Sequence, residues 1–209
     1  MDTPNSQPPR KWRKVILRAV FAVLAIYILL VIARIPHFYN LRQTNEQVAK
    51  IHATKLTLDD VMGKNLPSDP GVEADKTIAG VDANKNGIRD DVELAIFKAY
   101  PNSAKTRAVL LQYALALQME MTQPIVNTGT VTAIIEDNDS RAEVCLWSLS
   151  SRSNMEKFLA DIDKYEKFVK QRQINTKDRE KYLNDFYKYL GSYSASNEGC
   201  DLDLSKLPN

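Results

Sequence analysis

The sequence holds few of the residues that most enzymes use for catalysis. Two histidines and two cysteines occur in 209 residues, and both histidines, His37 and His52, stand near the N-terminal end. There is no HExxH zinc motif, no CxxC pair, no glycine-rich phosphate loop and no nucleophile elbow. The enzyme classes that depend on those motifs are therefore not expected. A hydrolase that uses carboxylates alone stays open, because a sequence does not show which carboxylates meet in space.

Net positive charge is confined to the N-terminal part of the sequence. Arg10, Lys11, Arg13 and Lys14 cluster before residue 15, whereas residues 37–209 carry three more acidic than basic residues. This second part of the chain has no basic stripe and no nucleic-acid recognition module. We therefore expect no nucleic-acid partner.

A long apolar run follows the basic cluster. Residues 15–33 contain one charged residue, Arg18, and as a helix they span about 28 Å, close to the hydrocarbon thickness of a bilayer. Arg34 and Pro36 come next, so the predicted transmembrane anchor covers residues 15–35. Because the basic residues precede it, the positive-inside rule places residues 1–14 in the cytoplasm as a basic tail. We expect a single-pass protein of the inner or plasma membrane.

A cleaved signal peptide is the alternative interpretation of this run. Val31-Ile32-Ala33 has residues small enough for a cleavage site. The uncharged core that starts at Ala19 is at the upper length limit of a signal peptide, which favours an uncleaved anchor. Both interpretations place residues 37–209 outside the cytoplasm, where they are long enough for one domain with its own core.

Residues 82–93 are the one stretch in which residue types and spacing together indicate a chemistry. Oxygen-bearing side chains stand at relative positions 1, 3, 5, 9 and 12, with a glycine, Gly87, at position 6 where the chain must turn sharply. A hard cation such as calcium takes six to eight oxygen ligands, which a chain supplies by wrapping around it. The predicted ligands are the side chains of Asp82, Asn84, Asn86, Asp90 and Glu93 and the carbonyl of Ile88.

A metal-free interpretation of the same stretch is a polar turn followed by a helix cap. Asn86-Gly87 is a turn dipeptide, and Asp90 and Asp91 suit the positive end of a helix. That interpretation does not require the oxygen-bearing residues to stand in register.

The stretch resembles the EF-hand-like calcium loops of dockerin-type repeats and of bacterial envelope proteins. The resemblance is limited to residues 82–93 and implies one bound Ca²⁺ ion. Arg89 stands where an apolar residue usually pairs two EF-hands, and no second loop of this type occurs. We therefore expect one weak calcium site and no paired, cooperative sensor.

The rest of residues 37–209 has mostly helical periodicity. Helices are predicted at 43–55, 91–100 and 104–122, the last apolar over most of its girth and hence central. Two C-terminal helices joined at 173–176 are expected to form an antiparallel hairpin. Residues 128–135 fit a strand or a helix, and the absence of a pairing strand favours a helix over 131–150. The predicted fold is mostly α: a transmembrane helix followed by a small helical bundle with one calcium loop.

The two cysteines, Cys145 and Cys200, both lie in the part predicted to be exported. An even count in an oxidising compartment indicates a disulfide. The bond would attach an irregular C-terminal tail to the helix around Trp147.

These features favour a calcium-binding protein anchored to the membrane, with a structural or interaction role in the cell envelope and a protein partner there. The first alternative is an envelope enzyme, hydrolase-like, in which calcium stabilises the fold. A released calcium-dependent binding module is the second. An enzyme would show a cleft with perturbed carboxylates, whereas an interaction protein would show exposed apolar patches.

Overall fold

A computed structural model describes residues 10–195 and 198–208, without the side chains of Arg10 and Asp137. All regular secondary structure among these residues is helical, and no strand occurs among them. The mostly α fold is confirmed. The eight α-helices of the described residues are α1 (Arg10–Ala53), α2 (Leu58–Met62), α3 (Asp90–Ala99), α4 (Ala104–Thr122), α5 (Thr128–Ile134), α6 (Ser140–Trp147), α7 (Met155–Gln173) and α8 (Lys177–Tyr187).

The apolar run forms part of a single long helix. By length and composition, α1 is able to cross a membrane, and its large apolar side chains from Trp12 to Leu41 are exposed. The sequence predicted two segments separated at Pro36, but α1 is continuous across this proline. A proline inside a helix removes one backbone hydrogen bond, which the rest of a 44-residue helix tolerates. Of the predicted tail, residues 10–14 belong to α1, and residues 1–9 lie outside the described residues.

The chain divides into two compact units after Gln43. The first unit contains the apolar part of α1. The second begins at Thr44, with the last residues of α1, and includes the predicted calcium loop and both cysteines. The division lies a few residues beyond the predicted start of the domain at residue 37.

Helix α4 is the centre of the second unit. Nearly all of its residues are buried, and it packs against α2, α3, α5, α6, α7 and α8. Ser103 caps its N-terminus by accepting a hydrogen bond from the amide of Thr106. The predicted hairpin of α7 and α8 is wrong in its packing, because each of these helices packs chiefly on α4 instead of on the other. A helix that is apolar all round offers both of them the larger surface to bury.

The ambiguous stretch is helical, so the strand alternative at 128–135 is wrong. Asn127 caps α5, and Thr130 completes a reciprocal pair of capping bonds. Between α5 and α6 the helix widens into a π-turn over Ile135–Asp139 and then continues. This local capping outweighs the β-propensity of the Thr and Val side chains.

Cys145 and Cys200 form the predicted disulfide, with their Cα atoms 4.6 Å apart. The neighbouring Asp201 fixes the same segment through a buried ion pair with Arg141 and by accepting a hydrogen bond from the Leu56 amide at 2.8 Å. The disulfide and the ion pair together hold the C-terminal tail against α6.

Candidate metal centre

The loop before α3 turns where the sequence places its glycine. Gly87 has a φ of +85°, and a Cβ atom there would lie 2.8 Å from Leu115 Cδ1 on α4. Lys85 has a φ of +60°, and its side chain is exposed. The side chain of the next core residue, Ile88, is fully buried. The loop is thus fixed by a left-handed turn on one side and by burial of Ile88 on the other.

Side-chain oxygens of the loop accept hydrogen bonds from the loop's own backbone. Asp82 Oδ1 accepts from the Asn86 amide at 3.2 Å, and Asp82 Oδ2 accepts from the Gly87 amide at 2.9 Å. Asn84 Oδ1 accepts from the Asn86 amide, and Asn86 Oδ1 from the Ile88 amide. The chain therefore curls around the oxygens of its first three predicted ligands.

The first turn of α3 supplies the remaining two predicted side chains. Both oxygens of Asp90 accept from the Ala83 amide, at 3.0 and 3.2 Å. Glu93 is buried, and its oxygens accept from the side-chain amides of Asn84 and Asn86, each at 3.1 Å. Hydrogen bonds thus connect Asp82, Asn84, Asn86 and Glu93 to one another, whereas Asp90 bonds to the backbone between Asp82 and Asn84.

Burial makes this cluster electrostatically unfavourable for carboxylates. The pKa of Glu93 is raised to about 7, chiefly by burial and also by the charges of Asp60 and Asp90, while the hydrogen bonds from the two asparagines lower it. Burial also raises the pKa of Asp90. In the described part of the chain, no ion pair joins Lys or Arg to Asp82, Asp90 or Glu93. A cation bound among them would compensate the buried negative charge.

By chemical type, the ligand set fits calcium. It consists of hard oxygen ligands, three of them carboxylates. Among the described residues, no group of three His, Cys, Asp or Glu side chains is placed to hold a metal ion. Both asparagines turn an amide nitrogen toward Glu93, while their Oδ1 atoms accept from the Asn86 and Ile88 amides.

Arg89 connects the loop to α7. Its guanidinium is fully buried, forms an ion pair with Asp91, and donates to the carbonyl of Gln173 at 3.2 Å and to that of Arg172. These carbonyls belong to the last turn of α7, where the helix dipole favours a cation. Arg89, which stands where an apolar residue usually pairs two EF-hands, therefore contacts α7 of the same chain instead.

A second buried arginine fixes the approach to the loop. Arg179 on α8 donates to the carbonyls of Ala74, Thr77 and Ile78 and pairs with Asp75. Arg89 thus connects the loop itself to α7, and Arg179 connects the segment before the loop to α8.

Sequence reasoning missed these supporting residues. Asn84 Nδ2 also donates to the carbonyl of Asn65, and the charge of Asp60 acts on Glu93, although both lie about twenty or more positions earlier. The single available signal was Arg89 itself, a charged residue at a position that is usually apolar. Its partners on α7 are far away in sequence and could not be read from spacing.

No protein-family model, curated protein or solved structure matches this chain.

Proposed function

We propose that this chain is a calcium-binding protein anchored to the membrane, with a structural or interaction role in the cell envelope. The convergence of Asp82, Asn84, Asn86, Asp90 and Glu93 supports the calcium site. In this proposal the Ile88 carbonyl completes the ligand set, and calcium supplies the positive charge that the buried carboxylates lack.

The membrane anchor is supported by α1. One helix of the described residues is long and apolar enough to cross a bilayer, and the basic cluster precedes its apolar part. The positive-inside rule then places the N-terminus in the cytoplasm and residues 37–209 in the extracytoplasmic space. A disulfide in that second part is consistent with an oxidising compartment.

A protein partner is supported by apolar side chains that the second unit leaves exposed. Met155 and Leu159 lie one turn apart on α7 and are 56% and 59% exposed, and Leu58 and Met62 are similarly spaced and exposed on α2. Exposed apolar side chains in helical register are a common feature of protein-binding surfaces.

The enzyme alternative has less support. An open groove of about 580 Å³ lies between α8 and residues 75–78. Two of its carboxyls have a lowered pKa: Asp75 because it accepts a hydrogen bond from Arg179, and Asp185 because it accepts one from Lys188. Neither of these two carboxyls has the raised pKa that general acid catalysis needs.

Calorimetry on the full chain in detergent micelles tests the calcium proposal. Three carboxylate ligands and no partner loop predict a dissociation constant of about 10⁻⁴ to 10⁻³ M, and calcium at ten times this value should add about 1.4 kcal/mol to the free energy of unfolding. Glu93→Gln should remove most of the binding, whereas Asp163→Asn, on the exposed face of α7, should leave it intact. Absence of both binding heat and a calcium-dependent melting shift in the unaltered protein would contradict the proposal.

A further inference from the structure

A second polar cluster lies inside the helical bundle, apart from the calcium loop. Helix α4 contributes Tyr113 and Glu120, two turns apart and hence on one face. Three other segments of the bundle place polar side chains in the same region. Two of these segments contribute a pair of residues four positions apart, which lie on one helix face. These additional members are Asp139 and Glu143 from the π-turn and α6, Glu166 and Lys170 from α7, and Tyr187 from α8.

Direct contacts tie this bundle cluster together. The Tyr187 hydroxyl donates to Glu120 Oε2 at 2.8 Å. Lys170 Nζ lies 3.2 Å from Glu166 Oε2 and 5.8 Å from the centre of the Tyr113 ring. The charge of Asp139 acts on Tyr113, Glu120 and Tyr187. Four separate segments thus contribute polar side chains to one region of the bundle.

The innermost atoms of the bundle cluster lack hydrogen-bond partners in the described part of the chain. Glu120 Oε1 and the Tyr113 hydroxyl have none, and both residues are 0% exposed. Asn138 Nδ2, in the π-turn beside Asp139, is also unsatisfied. A buried polar atom without a partner destabilises the fold. Unsatisfied groups on adjacent segments that point to the same polar cluster indicate a place for a ligand.

The charges of the bundle cluster indicate that this ligand is a cation. The bundle cluster contains four carboxyl groups and one ammonium, and Lys170 is engaged by Glu166. Asp139 and Glu143 take part in no ion pair of the described residues, and Glu120 is bonded only by a neutral phenol. A cation would satisfy Glu120 Oε1 and offset the charges of its neighbours.

We propose that the bundle cluster binds the ammonium group of a small aliphatic amine. An ammonium has three donors and suits acceptors that are spread over several side chains. The structure already holds one ammonium here, Lys170, beside a carboxylate and an aromatic ring. A metal ion is less suitable, because among the described residues no three acidic side chains converge on one point.

The bundle cluster reaches the surface on one side. The side chains of Glu166 and Lys170 are 27% and 43% exposed, and Tyr187 is 43% exposed although its hydroxyl contacts the buried Glu120. Tyr187 therefore lies between solvent and the unsatisfied oxygen of Glu120. An amine enters at this side and places its cationic end at Glu120, which requires the Tyr187 hydroxyl to move or to share the carboxylate.

Titration of the full chain in detergent with putrescine and with methylamine tests the proposal, and EGTA keeps calcium out. We expect one saturable site with a rise in melting temperature, and no binding of the uncharged 1,4-butanediol. Glu120→Gln and Asp139→Asn should each weaken binding about tenfold or more, because each removes one charged acceptor. Glu156→Gln, which is exposed at the start of α7, should leave binding unchanged.

Three outcomes would overturn the proposal. The first is the absence of both heat and melting shift with either amine. The second is amine binding that Glu120→Gln and Asp139→Asn leave unaltered, which indicates surface charge. The third is a site that depends on Glu120 and binds Mg²⁺ or Mn²⁺ but not amines. Glu93→Gln should retain amine binding, so the calcium site and the amine site can fail independently.

Discussion

Arg89 and Asp91 form an ion pair at the start of α3, with Nη2 2.8 Å from Oδ2, and the same guanidinium donates to two carbonyls at the end of α7. Arg89 is fully buried, whereas the side chain of Asp91 is 27% exposed. The pair therefore connects the candidate calcium loop to the C-terminal half of the bundle. Asp91 is not among the predicted calcium ligands, but its role in the fold is substantial.

Asp91→Asn should lower the free energy of unfolding by about 3 kcal/mol, because it leaves a buried guanidinium without its charge partner. Urea denaturation of the full chain in detergent measures this loss. Asp163→Asn serves as the matched control, since it removes an exposed partner of Lys167 and should change stability by less than about 0.5 kcal/mol. Equal stabilities of the two variants would show that the Arg89 pair does not stabilise the fold.

The stability of the bundle should fall as pH rises from about 4 to 7. The pKa of Asp139 is raised from 3.8 to about 7, chiefly by burial and also by the charges of Glu143 and Glu166, while Lys170 lowers it. The folded state then holds the Asp139 proton more tightly than the unfolded state. The resulting stability is fully present below the unfolded pKa and is lost as pH passes the folded one.

Asp139→Asn should flatten this pH dependence, and melting curves between pH 4 and 8 in EGTA measure it. The melting temperature of Asp139→Asn should still fall somewhat with rising pH, because burial also raises the pKa of Glu120 and Glu143. An exposed change, Asp163→Asn, should keep the full slope. A pH dependence that is identical in Asp139→Asn and the unaltered chain would contradict the assignment.

Loss of the disulfide should free the C-terminal tail. Cys145 and Cys200 are 55 positions apart, so Cys200→Ser should cost about 4 kcal/mol by chain entropy. Limited proteolysis should then cut first at residues 191–200, which have no helical structure where they are described. The oxidised unaltered chain is the control, and it should resist cleavage there. Cleavage at the same rate in both would mean that Arg141 and Asp201 hold the tail without the disulfide.

Topology provides the last prediction. A periplasm-active reporter fused after residue 209 should be active, because the basic cluster stands on the N-terminal side of α1. The fusion protein should fractionate with membranes at its full mass. A control variant tests whether charge sets the orientation: it has glutamine in place of Arg10, Lys11, Arg13 and Lys14. Reporter activity should fall in this variant, because the N-terminal side of α1 loses its basic cluster. A soluble product that begins near Arg34 would identify a cleaved signal peptide instead.

The sequence by itself determined the features that depend on local periodicity and spacing. The bounds of α4 matched the predicted 104–122. A central helix is buried on nearly all sides, so its apolar run alone marks its extent. The turn at Gly87 and the cluster of Asp82, Asn84 and Asn86 followed from short-range rules, since one glycine and a fixed spacing fix that backbone. The disulfide followed from there being just two cysteines.

Tertiary structure alone decided which distant side chains meet. The helix crossed Pro36 because one lost hydrogen bond is small against a long helix, a balance that local rules do not give. Arg89 found its acceptors on α7, and Glu120 met Tyr187 of α8, because packing on α4 brings together segments whose separation in sequence carries no signal. Tyr113 and Glu120 stand among apolar residues in the sequence of α4, so the sequence offered no reason to group them. The packed bundle showed that they face charged residues of other helices.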